Sequence, residues 1–332
     1  MDSLSRAKDI FNEQLDKCKT KYFDNYFLHA LSDTGAIRPR TTNFAKIYEE
    51  MGVLNYLKEQ KQAGRIKHLG FSYHGDVPFF DYLLKNYDWD MVMIDLNYLD
   101  WSHEDEERFK HIPAATNGRY AGIFYKRIEA LGMPCYVMEP VRGGQLAVLS
   151  PAAVKIFKKA NPNRSTASWA MRYVGSLPAV TCVLSGMSKL EHLIDNINTM
   201  SNFEPLTKGE LAVIDDALEA FLSHETIFCT SCRYCMPCPY GVDIPGVFQT
   251  FNECSGNLGI PDIKNPAPNI DEQSRAFLIK YNNSVERISQ ADHCIGCGKC
   301  KPLCPQRLDI PAHMRRIDNM VMAIDLIRGG II

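Results

Sequence analysis

The chain has 332 residues, 45% of them apolar, with 37 Lys and Arg against 39 Asp and Glu and a net charge of −2. That length exceeds one small module and implies a large domain plus a smaller one. The even balance excludes the basic surface that nucleic acid or an anionic membrane would require. Residues 1–6 lack the basic-then-apolar pattern of a signal peptide. No apolar run approaches the ~18 residues of a membrane span, so a soluble, cytoplasmic protein is expected.

From the N-terminus, short apolar runs alternate with helical periodicity. Strands are expected over 22–28, 66–72, 91–98, 133–138 and 180–184. Helices are expected over 43–64, 120–131, 166–174 and 206–222, with a polar insertion at 102–118. Alternation of this kind specifies a parallel sheet covered by helices, open or closed into a barrel. The first strand ends at His29, which taken by itself reads as a satisfied strand-end histidine. Gly143-Gly144 and Gly186 follow the fourth and fifth strands. They allow close backbone approach to an anion such as a diphosphate, although two ordinary glycine turns would look the same.

Cysteine usage is lopsided: eight of the twelve fall in two short runs, and Cys18, Cys135, Cys182 and Cys254 are scattered as packing residues. The first run is Cys229-x2-Cys232-x2-Cys235-x2-Cys238-Pro. The second is Cys294-x2-Cys297-x2-Cys300-x3-Cys304-Pro, the bacterial ferredoxin spacing, in which the fourth cysteine reaches to the other cluster. Two-residue spacers let one loop wrap three corners of a cubane, and Gly296 and Gly298 let the backbone pass inorganic sulfide. Structural zinc and disulfides remain alternatives. Three consecutive Cys-x2 steps crowd a single tetrahedral zinc, and without a secretory leader disulfides are disfavoured. Two [4Fe–4S] clusters are therefore expected.

The runs form an internal repeat. Cys238-Pro-Tyr-Gly-Val-Asp243-Ile-Pro245 parallels Cys304-Pro-Gln-Arg-Leu-Asp309-Ile-Pro311. Asp243 and Asp309 read as N-caps with Pro in the first turn. Helical stretches are expected over 247–253, 271–289 and 313–327. A mainly helical module at 224–332 thus follows an α/β domain at 1–223. The long segment between the runs resembles the helical ferredoxin modules of respiratory iron–sulfur subunits.

Taken together, the motifs resemble the aldo/keto reductases, specifically the bacterial branch with a C-terminal iron–sulfur module. Asp24-Asn-Tyr26-Phe-Leu-His29 resembles that family's fourth strand with its active-site His. Gly64-Arg-Ile-Lys-His-Leu-Gly70-Phe-Ser72 resembles the run into strand five. Met138-Glu-Pro140-Val-Arg142-Gly143-Gly144-Gln-Leu146 resembles the loop over the cofactor diphosphate. Leu184-Ser-Gly186-Met-Ser188-Lys189 through Asp195-Asn196 resembles the segment that holds the adenosine end of NADPH. The resemblance implies an incomplete (β/α)8 TIM barrel of about five strand–helix units, followed by a two-cluster ferredoxin domain for electron transfer. It implies an oxidoreductase acting on a small carbonyl or alcohol substrate, with His29 bonding the carbonyl. NADP(H) would bind through Gly143, Gly144, Gly186, Ser188, Lys189, Asp195 and Asn196, and a redox partner protein could draw on the clusters.

Departures weaken the nicotinamide end. Met93 stands where the family has a Gln for the nicotinamide amide, and His192 where a basic or amide residue often meets the 2′-phosphate. Strands one to three are not found, and with them go the family's Asp, Tyr acid and Lys. An N-terminally truncated product with poor carbonyl turnover is therefore expected. Two further readings stay open: a non-catalytic electron carrier on a residual half-barrel, and clusters with a purely structural role.

Overall fold

The computed structural model describes residues 3–32, 42–101, 120–201, 203–223, 225–261, 270–304, 306 and 308–328. The 102–118 insertion expected from sequence lies outside the described residues. The chain divides into two compact units, Met1–Pro140 with Val174–Ser185, and Val141–Tyr173 with Gly186–Ile332.

The first unit is built on one parallel sheet. Helix α1 (Leu4–Cys18) is capped by the Ser3 side chain and leads into β1 (Phe23–Ser32). After β2 (Thr42–Asn43) and a π-helical turn come α2 (Val53–Gln62), β3 (Ile66–Tyr73) and α3 (Val77–Asn86). Then follow β4 (Met91–Asp95), α4 (Ala121–Ala130), β5 (Cys135–Met138) and β6 (Val180–Val183). The sheet order is β2-β1-β3-β4-β5-β6, with every pairing parallel. All five expected strands are present, in an α/β arrangement that fits part of a (β/α)8 barrel. The sixth, β2, is a two-residue pairing against the end of β1.

Some boundaries differ from expectation. The single helix expected over 43–64 is broken at Gly52, whose φ of 72° suits glycine and no helix interior. Strand β1 runs past His29 to Ser32, with a register shift between Leu28 and Leu31 and a φ of 53° at Ala30. Helix α3 was not anticipated, although Asp76 caps it by accepting from Phe79 N and Pro78 stands in its first turn.

Alternation along the strands buries one sheet face under helices. Phe71, Tyr73, Phe80 and Phe124 are each 2% exposed or less, with Phe80 and Phe124 ring centroids 4.6 Å apart. Burying such a ring contributes about 2–3 kcal/mol. The opposite face carries Asn25, Phe27, Met93 and Tyr136, none fully buried. Asn25 Nδ2 donates to Tyr136 Oη at 3.0 Å there.

The second unit is helical: α5 (Pro151–Ala160), α6 (Thr166–Gly175, its last two residues in the first unit), α7 (Leu190–Ser201), α8 (Lys208–Leu222), α9 (Ile244–Leu258), α10 (Ile270–Ser284) and α11 (Ile310–Arg328). Helix α5 went unread in the sequence, despite Ser150 capping it ahead of Pro151. Phe248, Phe251, Phe277, Tyr281, Met314 and Ile317 form the core on which the cysteine loops rest. The expected caps divide. Asp309 Oδ1 accepts from Ala312 N at 3.3 Å, but Asp243 makes no cap bond. No described helix is long and apolar enough to cross a membrane.

Candidate functional site

Parallel α/β sheets place their chemistry at the carboxyl ends of the strands. There, His29 is exposed and precedes the irregularity in β1. A bulge of this kind re-aims side chains, and here it turns Ala30 N onto Ser72 Oγ at 2.7 Å.

The register places Tyr73 beside Ile94, so the next pair, His74 and Asp95, falls together. His74 is 6% exposed, and its Nδ1 lies 3.1 Å from Asp95 Oδ2. Just beyond, Asn97 Nδ2 donates to Asp100 Oδ2 at 2.9 Å and to Glu139 O at 3.1 Å. Neither the His74–Asp95 pair nor the Asn97–Asp100 pair was anticipated. The available signal was a polar residue directly after an apolar strand run. A buried His–Asp pair can orient an imidazole and hold its proton on a chosen nitrogen. Met93 sits on the same sheet face as Asp95 and offers no amide. Tyr26 is committed elsewhere, with Oη donating to Gln14 Oε1 on α1 at 2.8 Å and burial raising its pKa to about 12.

The second unit holds the candidate cofactor loops. Gly143 and Gly144 have φ of 64° and 97°. A Cβ on Gly143 would lie 1.9 Å from Thr230 O, so the loop is pressed against the segment between Cys229 and Cys232. Gly144 and Gly186 face open space. Ser188 and Lys189 are exposed ahead of α7, where a helix N-terminus favours an anion. Asp195 Oδ2 accepts from Ser165 Oγ at 2.6 Å, and Asn196 is half-buried one residue on. A cavity of about 240 Å³ lies between Gly143–Gly144, Cys229 and the face of α9 carrying Gln249 and Glu253. Gly143→Ala is expected to destabilise this unit by about 2 kcal/mol or more, because the new methyl meets a carbonyl at a left-handed φ. Urea denaturation followed by circular dichroism checks this.

All twelve cysteines are free thiols. Among the described residues, no three His, Cys, Asp or Glu side chains converge as they would on a single ion. The clustered thiols instead line two cavities. Cys229, Cys232, Cys235 and Cys304 border one of about 20 Å³. Cys238, Cys294, Cys297 and Cys300 border another of about 50 Å³, which Cys235 also touches. Cys235 belongs electrostatically to the first set. Burial and then the neighbouring Cys229, Cys232 and Cys304 raise its pKa to about 12. Burial likewise lifts Cys229 and Cys300 to about 11, and the neighbours of Cys300 are Cys294, Cys297 and Cys238. Ser231 N donates to Cys229 Sγ at 3.4 Å. The eight thiols thus fall in two sets of four, with a backbone N–H donated to one sulfur.

No curated protein matches the chain. Solved structures with some likeness to this chain include a holo aldo-keto reductase from Bacillus halodurans. It is 19% identical, with 65% of each chain covered and a TM-score of 0.46, so this chain spans about 65% of that protein's length. An aldo/keto reductase from Klebsiella pneumoniae in complex with NADP and acetate is 16% identical over 63% of each chain, with a TM-score of 0.43. One from Brucella melitensis is 16% identical over 64% of this chain and 68% of that one, with a TM-score of 0.44. The model of the aldo/keto reductase family matches residues 2–219, and this chain belongs to that family.

Proposed function

We propose that this chain is an iron–sulfur oxidoreductase, pairing nicotinamide-linked carbonyl or alcohol chemistry at 1–223 with one-electron transfer through a ferredoxin-type domain at 224–332. The observation that carries this reading is the sorting of eight thiols into two sets of four, with the fourth cysteine of each run lining the other run's cavity. That crossing is what two-cluster ferredoxin spacing demands. Bound [4Fe–4S] clusters would supply single-electron transfer, held by Cys229, Cys232, Cys235 and Cys304 and by Cys238, Cys294, Cys297 and Cys300. A bound nicotinamide would supply hydride. Gly143, Gly144, Gly186, Ser188, Lys189, Asp195 and Asn196 would hold its phosphates and adenosine. His29 would meet a small carbonyl substrate, and the buried His74–Asp95 pair, at the ends of β3 and β4, is a candidate proton source.

A second reading, a non-catalytic electron carrier with a redox partner protein, draws support from two observations. Met93 gives the nicotinamide amide no hydrogen bond, and the Thr230 carbonyl fills the space beside Gly143. Calorimetric titration of NADPH into the reconstituted chain separates the two. Weak binding that Asn196→Ala removes supports the oxidoreductase. No binding to a chain whose clusters are reducible supports the carrier. Tight binding indifferent to Asn196→Ala contradicts the cofactor assignment.

A further inference from the structure

Arg142 is a charged side chain only 1% exposed. One guanidinium nitrogen donates to Gln145 Oε1 at 2.6 Å, and another donates to Gln306 Oε1 at 3.3 Å. The guanidinium carbon also lies 5.3 Å from the Phe228 ring centroid. These contacts are not scattered. Phe228 immediately precedes Cys229, and Gln306 lies two residues past Cys304. Cys229 and Cys304 line the same cavity. The neighbouring Gly143 is meanwhile pressed onto Thr230, just after Cys229. Arg142 therefore ties together the two chain segments, far apart in sequence, that must converge on the first cysteine set.

Burial gives this contact an electrical consequence. Four thiolates on a cubane carry net negative charge, and reduction adds one more electron. A guanidinium held out of water acts on that charge through a low dielectric, and so favours the reduced form. The second set has a different neighbour. Arg315 Nη2 lies 3.7 Å from where a Cβ on Gly296 would stand, but Arg315 is exposed, and solvent and salt screen it.

We propose that Arg142 is a positioning and charge-tuning residue for the cluster held by Cys229, Cys232, Cys235 and Cys304, raising its reduction potential and docking the Gly143–Gly144 loop beside it. The inference rests on the cluster reading above. Reductive titration of the reconstituted chain with dithionite, followed by electron paramagnetic resonance, tests it. Two reduction waves are expected, and the one that Cys304→Ser displaces belongs to the first set. Arg142→Gln should make that cluster about tenfold harder to reduce, about 59 mV for a one-electron couple, and leave the other wave in place. Arg142→Lys, which keeps the charge, should restore most of the difference. Arg315→Gln should leave the first wave unmoved. If Arg142→Gln sheds iron, Arg142→Met, a neutral side chain that keeps the packing, gives a second reading of the lost charge and should shift the first wave in the same direction. Iron-replete variants whose first wave does not move overturn the role of Arg142 and leave the clusters standing. Wild-type chain without iron and sulfide overturns the cluster reading and this inference with it.

Discussion

Replacing Cys304 with Ala is expected to halve the bound iron, from about eight atoms per chain to about four. The cavity it lines is shared with Cys229, Cys232 and Cys235, which lie in the other run. The pattern of double variants is the sharper test. Cys304→Ala with Cys229→Ala should lose no more iron than either alone, because both strip the same cluster. Cys304→Ala with Cys300→Ala should lose nearly all of it, although those two cysteines are only four residues apart. Effects within one site are non-additive, and effects at independent sites add. If each run bound its own cluster, the two outcomes would be exchanged. Iron analysis of the wild type and these variants after the same anaerobic reconstitution decides between them.

Glu210→Ala is expected to destabilise the second unit by about 2–3 kcal/mol. Arg172 is 2% exposed, and it donates to Glu210 Oε1 at 2.5 Å and to Glu204 O at 3.0 Å. Removing Glu210 takes away the charge-assisted hydrogen bond that Arg172 donates to it. It also dismantles the capping box in which Thr207 and Glu210 satisfy each other's backbone at the start of α8. The same pair predicts a pH dependence. The Arg172 hydrogen bond, its largest cause, holds the Glu210 carboxyl at about 2, against an ordinary 4.5. A depressed carboxylate stabilises the folded state above its unfolded pKa and loses that contribution as pH falls. The wild-type advantage over Glu210→Ala should therefore begin to shrink below about pH 4.5 and continue falling toward 2. Urea midpoints measured across that range check both the size and the direction.

The strands were legible because each is a short apolar run with a polar break on either side, and all five appear in the order read. The two cysteine runs were legible because the second repeats the first through Asp-Ile-Pro. What went unread depends on register and packing between distant residues. His74 and Asp95 are 21 residues apart, and no local pattern links them. They meet because β3 and β4 pair in parallel with Tyr73 opposite Ile94. Gly143 was read as a place for a diphosphate, and only packing discloses that the Thr230 carbonyl oxygen stands 1.9 Å from where its Cβ would be. Arg142 gave no sign in sequence of reaching Gln306, 164 residues on. Helices α3 and α5 were different: Asp76-x-Pro78 and Ser150-Pro151 are start signals that were present and overlooked. Gly52 was likewise available to mark the break in the helix expected over 43–64.

The central claim, two cubane clusters on crossed cysteine sets, is tested most directly by measuring iron, acid-labile sulfide and zinc together on chain purified without oxygen. About eight irons and about eight sulfides per chain are expected, with no stoichiometric zinc. Stoichiometric zinc with no sulfide would contradict it.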